Sequence, residues 1–189
     1  MAYDKLLISD KLTKWNDYIN RFSLPAWDKL PTIELYMDQV IVLLNDYLSY
    51  LSYDGSEENL ITASMINNYV KLKLMPAPVK KRYGRMHIAL LIMICHYKQV
   101  HSMASIRQML PEHDPDTIRA AYDKFVQLQS SVAVNFAKQV KELSKGMFDE
   151  SDEGYEAEEL VSACSLYSTL ARLLSAKIIA LKTPEQEKK

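Results

Sequence analysis

Apolar side chains recur at spacings of three and four along most of this chain, and that period predicts a succession of helices. Leu12, Trp15, Ile19 and Phe22 fall on one side of a first helix expected over 10–22, which Leu24-Pro25 ends. After the apolar connector 24–30, Pro31-Thr32 opens a second helix expected to run to about Leu51, with Leu35, Val40, Leu43, Leu44, Tyr47 and Leu51 at helical spacing. The polar, Gly-containing segment 53–59 (YDGSEEN) reads as a loop. Thr62 is an N-cap for a short helix over about 63–72. The next stretch, 74–84 (LMPAPVKKRYG), carries two prolines and a cationic run and cannot continue that helix. It suits a small β-hairpin wing at about 75–85, or an extended arm. A long apolar helix follows from Arg85 to about His101, and Ser102 caps a further short one stopped by Pro111.

The last third has a different rhythm. Asp114-Pro115 supplies an N-cap with proline at the first helical position, and Gly146 stands where a C-terminal cap belongs. Between them Ile118, Tyr122, Phe125, Gln129, Val132, Phe136, Gln139 and Leu143 alternate at four and three. An acidic linker over 149–153 (DESDE) leads to a final helix over about 155–181, where Leu160, Cys164, Tyr167, Ala171, Leu174, Ile178 and Leu181 repeat the alternation. Such seams pair either between chains or within one chain as an αα-hairpin, and both arrangements stand open. The expected organisation is therefore mainly α. An N-terminal helix and connector occupy 1–31, a helix-turn-helix region with a wing 32–111, and a C-terminal pair of long helices 112–189.

Charge changes the picture once it is mapped. The 23 basic and 24 acidic side chains nearly cancel over the 189 residues. Yet 61–111 contains no Asp or Glu and carries Lys71, Lys73, Lys80, Lys81, Arg82, Arg85, Lys98 and Arg107. A basic segment attached to an otherwise acidic chain points to a polyanion partner, as opposed to a solvated face of mixed sign. Within it, Ser64, Asn67, Asn68 and Lys71 share one side of the short helix. Asn can read adenine in the major groove, and Ser or Lys can hold base edges or phosphates. Surface solvation and capping are the competing roles for the two asparagines. Lys73, Lys80, Lys81, Arg82 and Arg85 are candidate phosphate contacts. Tyr83 reads either as a phosphate contact or, with more weight, as an amphipathic anchor for the wing.

The words MINNYVK and KKRYGRMHI, with LPTIELYMDQV before them, resemble the family catalogued as domain of unknown function 1836, a group of MerR-like bacterial proteins. The resemblance runs from about Leu24 to Leu110. It implies a recognition helix at about 63–72, a wing with Lys81, Arg82 and Tyr83 as its basic-basic-Tyr element, and Ile106 and Arg107 in the short helix after the support helix. It also implies a transcription regulator that binds double-stranded DNA as a homodimer through its C-terminal helices. Asn67 departs from the Arg that MerR-like proteins commonly place there, and the turn before the recognition helix is several residues longer than usual.

Other chemistries find little footing. No Walker loop or GxSxG element occurs, and four glycines leave few phosphate cradles. His87, His96, His101 and His113 show no set of three metal ligands, so neither catalysis, nor a metal, nor a cofactor is expected. Cys95 and Cys164 read as buried thiols in a reducing compartment. The segment 1–12 already carries Asp4, Lys5, Asp10 and Lys11, which argues against a secretory leader, and no run is long enough to span a bilayer. A cytoplasmic location is expected. The scattered Met and Tyr residues do not locate a small-molecule effector site.

Overall fold

The computed structural model describes residues 4–21, 23–51, 60–145 and 156–182. Phe22, the loop 53–59, the Gly146 cap, the acidic linker 149–153 and the tail from Thr183 lie outside the described residues. The helices are α1 (Lys5–Arg21), α2 (Met37–Tyr47), α3 (Ala63–Lys71), α4 (Arg85–Tyr97), α5 (Met103–Met109), α6 (Pro115–Leu143) and α7 (Ala157–Ala180). Among the described residues no β-strand forms, so the fold is mainly α as its periodicity predicts.

The chain packs as two compact units. One comprises 25–126 with 175–189, the other 1–24 with 127–174. The first is built around α4, where every side chain from His87 to Cys95 is buried. A helix that is apolar on all sides is stable only when enclosed, and α2 is among the helices packed on it. Truncating a side chain such as Leu91 to Ala would cost about 2–5 kcal/mol through lost transfer energy and the cavity left behind.

Two sequence expectations for this unit need correction. The second helix begins at Met37, not at Pro31-Thr32. Leu35 is drawn into an antiparallel bridge with Tyr83, exchanging N–H···O bonds of 2.9 and 2.8 Å. A residue held in that pairing cannot also be helical. Tyr36 then becomes the N-cap, and its N–H donates to Gln39 Oε1 at 2.9 Å. The β-hairpin wing is also missing. The segment after α3 carries only isolated bridges, Leu35 with Tyr83 and Val79 with Arg82. Pro76 and Pro78 lack the N–H that a longer ladder would need.

In the second unit, Ala157 and Leu160 form a small core with Ile8, Leu12 and Leu143. Here Ala137 and Val140 of α6 and Ser144 just past its end are buried, while Val132 and Phe136 of the expected seam stay exposed. Cys164 is exposed, contrary to its sequence reading, whereas Cys95 is buried. The periodicity identifies the apolar face of α7 but not whether a neighbour covers it. No helix among the described residues is long and apolar enough to cross a membrane.

Candidate nucleic-acid interface

The candidate site is assembled from α3, its C-terminal stop and the turn before α4. Thr62 has extended backbone, and its hydroxyl accepts the Met65 N–H at 3.3 Å. That is the N-cap role expected of it, and it defines where α3 starts. Ile66 and Tyr69 are buried, which turns Ser64, Asn67, Asn68 and Lys71 outward. Burial pushes the Tyr69 phenol up to about 12. The four outward side chains make no hydrogen bond or ion pair among the described residues, and they lie within one face at 100° per residue.

The stop of α3 is a Schellman motif. Lys73 N–H donates to Val70 O at 2.9 Å and Leu74 N–H to Tyr69 O at 3.0 Å. Glycine is the usual residue at the left-handed position of this motif, but Lys73 occupies it, with φ 55°. The next turn does the same twice. Lys80 and Lys81 have φ 50° and 63°, and Arg82 N–H closes the turn on Val79 O at 2.9 Å. Positive φ at both central residues is the type I′ pattern that Asn-Gly favours. Among the described residues, Lys73, Lys80 and Lys81 are the three non-glycine residues with positive φ. Each such residue costs on the order of 1 kcal/mol or more. All three are exposed and make no ion pair among the described residues.

The remaining cations divide by what they hold. Arg82 lies over the Tyr36 ring, with Cζ 4.9 Å from its centroid, and donates to the Tyr36 hydroxyl at 3.0 Å. Its side chain stays exposed beside the turn. Arg85 is mostly covered. It donates to Leu30 O at 3.1 Å, reaches Asp28 at 4.0 Å and stands 5.7 Å from the Trp27 ring centroid. Lys98 donates to Leu60 O at 2.6 Å, and Arg107 to Leu72 O at 2.5 Å. Lys98 and Arg107, which the charge map counts but does not assign, thus brace the two ends of the α3 segment. Tyr83 is 3% exposed and meets the His87 ring edge-on, centroids 5.6 Å apart, which is the anchor geometry.

Beside these groups lies an open groove of about 470 Å³, lined by Tyr36, Met37, Asp38, Ile41, Ala63 and Lys81. Met37 and Ala63 are the first residues of α2 and α3, so the positive ends of two helix dipoles face it. Asp38 supplies a negative charge that the acid-free stretch 61–111 does not contain. The connection from α2 to α3 spans 48–62, far longer than the three or four residues of a tight helix-turn-helix. It includes a 3₁₀ turn at Ser49–Leu51.

The histidines are occupied with the fold. His96 Nδ1 donates to Ile92 O at 2.8 Å, which leaves Nε2 to accept from the Tyr50 hydroxyl. Burial lowers the pKa of His96 and of His87. Among the described residues no group of three or more His, Cys, Asp or Glu could hold a metal ion.

The molecule thus defined is a helical protein with an acid-free, outward-facing short helix next to a strained lysine turn. The chain belongs to the family described as Domain of unknown function (DUF1836), whose profile matches residues 25–125. That span nearly coincides with the main segment of the unit built around α4. No curated protein and no solved structure matches the chain.

Proposed function

We propose that this protein is a DNA-binding transcription regulator of MerR-like type, without enzymatic activity, acting in the cytoplasm as a homodimer. In this reading α3 enters the major groove of duplex DNA. Ser64, Asn67, Asn68 and Lys71 face base edges or nearby phosphates, and Asn suits adenine best. Lys73, Lys80, Lys81 and Arg82 grip the backbone and fix the register, because phosphate contacts position while base contacts specify.

The observation that carries this reading is the strained lysine set. Strained backbone persists where function demands it, and Gly or Asn would serve all three positions more cheaply. What lysine adds there is an exposed charge directed away from the fold. Lys71, Lys73, Lys80, Lys81 and Arg82 offer about five phosphate contacts per chain, which predicts a slope of log affinity against log salt near −4.5 per chain.

A second reading uses the same face to dock an acidic protein segment. The groove favours it in one respect, since Tyr36, Met37 and Ile41 offer apolar lining next to Lys81. Asp38 in that groove disfavours it.

Titration of labelled duplex fragments at low and moderate salt separates the two readings. The DNA reading requires binding at low salt with the steep slope given above. It also requires Lys80→Glu with Lys81→Glu to abolish binding while the melting temperature holds. Absence of duplex binding at low salt overturns it and leaves the acidic-peptide reading.

A further inference from the structure

His87 is the third residue of α4, and Gly84 is the N-cap of that helix. The His87 N–H donates to Gly84 O at 3.0 Å, and its Nδ1 accepts the Gly84 N–H at 3.1 Å. That reciprocal pair has the form of a capping box, in which Glu or Gln at the third position reaches back to the N-cap N–H. A carboxylate or an amide oxygen accepts at any pH near neutrality. Imidazole accepts only while it is neutral, because both ring nitrogens of the charged form are donors.

The ring is enclosed. His87 is 4% exposed, and Nε2, which carries the proton when Nδ1 accepts, is buried without a hydrogen-bond partner among the described residues. The Tyr83 ring meets it edge-on. Burial lowers the His87 pKa. The Ala77 carbonyl and Glu34, ahead of α2, favour the charged ring, whereas His113, ahead of α6, opposes it. Burial outweighs the two favourable groups, so His87 is neutral at pH 7 and gains its proton below about 6.5.

This cap adjoins the lysine turn directly. Tyr83 exchanges hydrogen bonds of 2.8 and 2.9 Å with Leu35, and Arg82 N–H closes the turn on Val79 O at 2.9 Å. Lys80 and Lys81 stand at positive φ between those two ties. Strained residues persist only while their surroundings over-determine them, so the turn depends on the anchorage at Tyr83 and Gly84.

We propose that His87 is a pH-sensitive latch on the lysine turn: the neutral ring holds the Gly84 N–H and with it the 79–83 turn, and protonation sets donor against donor and releases both. Resting on the DNA reading of the preceding section, the latch regulates that interface and makes duplex affinity fall in acid. The sign is diagnostic. Protonation of a surface histidine adds positive charge and strengthens binding to a polyanion. An opened turn scatters its lysines and weakens it.

The first measurement uses the full chain without DNA. In NMR titrations from pH 7.5 to 5.0, the His87 ring and the Gly84 amide should titrate with one midpoint. Protection of the Tyr83 and Gly84 amides should fall about tenfold, the equivalent of one buried hydrogen bond, while the amides of Leu90 and Leu91 keep theirs. A Gly84 amide that holds its shift and protection while His87 titrates overturns the latch, as does a His87 ring that stays neutral throughout. The second measurement is duplex affinity at fixed salt, which should be about tenfold weaker at pH 5.0 than at pH 7.5. His87→Gln supplies an acceptor that does not titrate and should remove that dependence. Should this variant fail to fold, the wild-type amides decide. Affinity that rises in acid overturns the regulation of binding. Absence of duplex binding at every pH removes the DNA reading alone, and the amides then decide the latch by themselves.

Discussion

The Arg107 guanidinium on α5 donates to the Leu72 carbonyl at 2.5 Å, just past the end of α3. The last carbonyls of a helix lack internal partners and carry the negative end of its dipole. A cation placed there caps the helix and ties two elements that lie 35 residues apart. Arg107→Gln should therefore lower stability by about 1–2 kcal/mol, read as a shift in the urea midpoint. The slope of DNA affinity against salt should stay near its wild-type value. A slope reduced by about one with the midpoint unchanged would assign Arg107 to a phosphate instead.

Lysine at both central positions of the 79–82 turn works against the fold. Replacing Lys80 with Asn and Lys81 with Gly supplies the pair that a type I′ turn favours. The double variant should be more stable than the wild type by about 1–3 kcal/mol. Its affinity for duplex DNA should fall, with the salt slope smaller by roughly two. Thermal melts and DNA titrations of one preparation check both halves. A variant that melts lower than the wild type would show that the lysines contribute contacts to the fold.

His87 and His96 are held neutral by burial, with pKa values below the ordinary 6.5. The unfolded chain therefore binds more protons than the folded one in acid. The stability contributed by these two residues is present above pH ~6.5 and is lost as pH falls through their folded pKa values. Denaturation midpoints should fall between pH 7.5 and pH 5. His96→Gln should flatten that dependence while leaving the contribution of His87, and an unchanged slope in the variant would refute the assignment to His96.

Tyr122 on α6 donates its hydroxyl to Pro25 O at 2.7 Å and meets the Trp27 ring edge-on, centroids 6.2 Å apart. Burial raises its pKa well above the phenol range. Tyr122→Phe keeps the ring but strands the Pro25 carbonyl, at a cost of about 1–2 kcal/mol. The loss should appear as a faster unfolding rate or a lower midpoint, with DNA binding unchanged.

Much of this architecture is legible in sequence, and the reasons are local. The start of α3 follows from Thr62, that of α5 from Ser102, whose Oγ accepts the Ser105 N–H at 3.2 Å. The start of α6 follows from Asp114, whose carboxylate accepts both the N–H and the hydroxyl of Thr117 at 2.9 Å. Those bonds favour the ionised form and lower the Asp114 pKa. Each of these caps acts within three residues, so a window of sequence contains the whole interaction. The start of α2 fails the same treatment, because the residue that displaces it is Tyr83, 48 positions beyond Leu35.

The sequence by itself determined that this protein is helical, where most of its helices begin, and that its positive charge is concentrated in 61–111. Periodicity and capping are properties of neighbouring residues, and charge can be counted without coordinates. Which of those charges face outward was decided by tertiary structure alone. Arg85 and Lys98 turn inward to carbonyls supplied by distant segments, Arg107 is tied at the surface to the Leu72 carbonyl, and Asp38 of α2 lines the same groove as Lys81. The lysines at 73, 80 and 81 remain outside because strained turns hold them there. Whether an apolar stripe is core or contact surface was likewise a tertiary matter. The stripe on α7 is written in its sequence, but only the tertiary structure shows that, among the described residues, Leu160 of it is buried while Tyr167, Leu174 and Ile178 stay exposed.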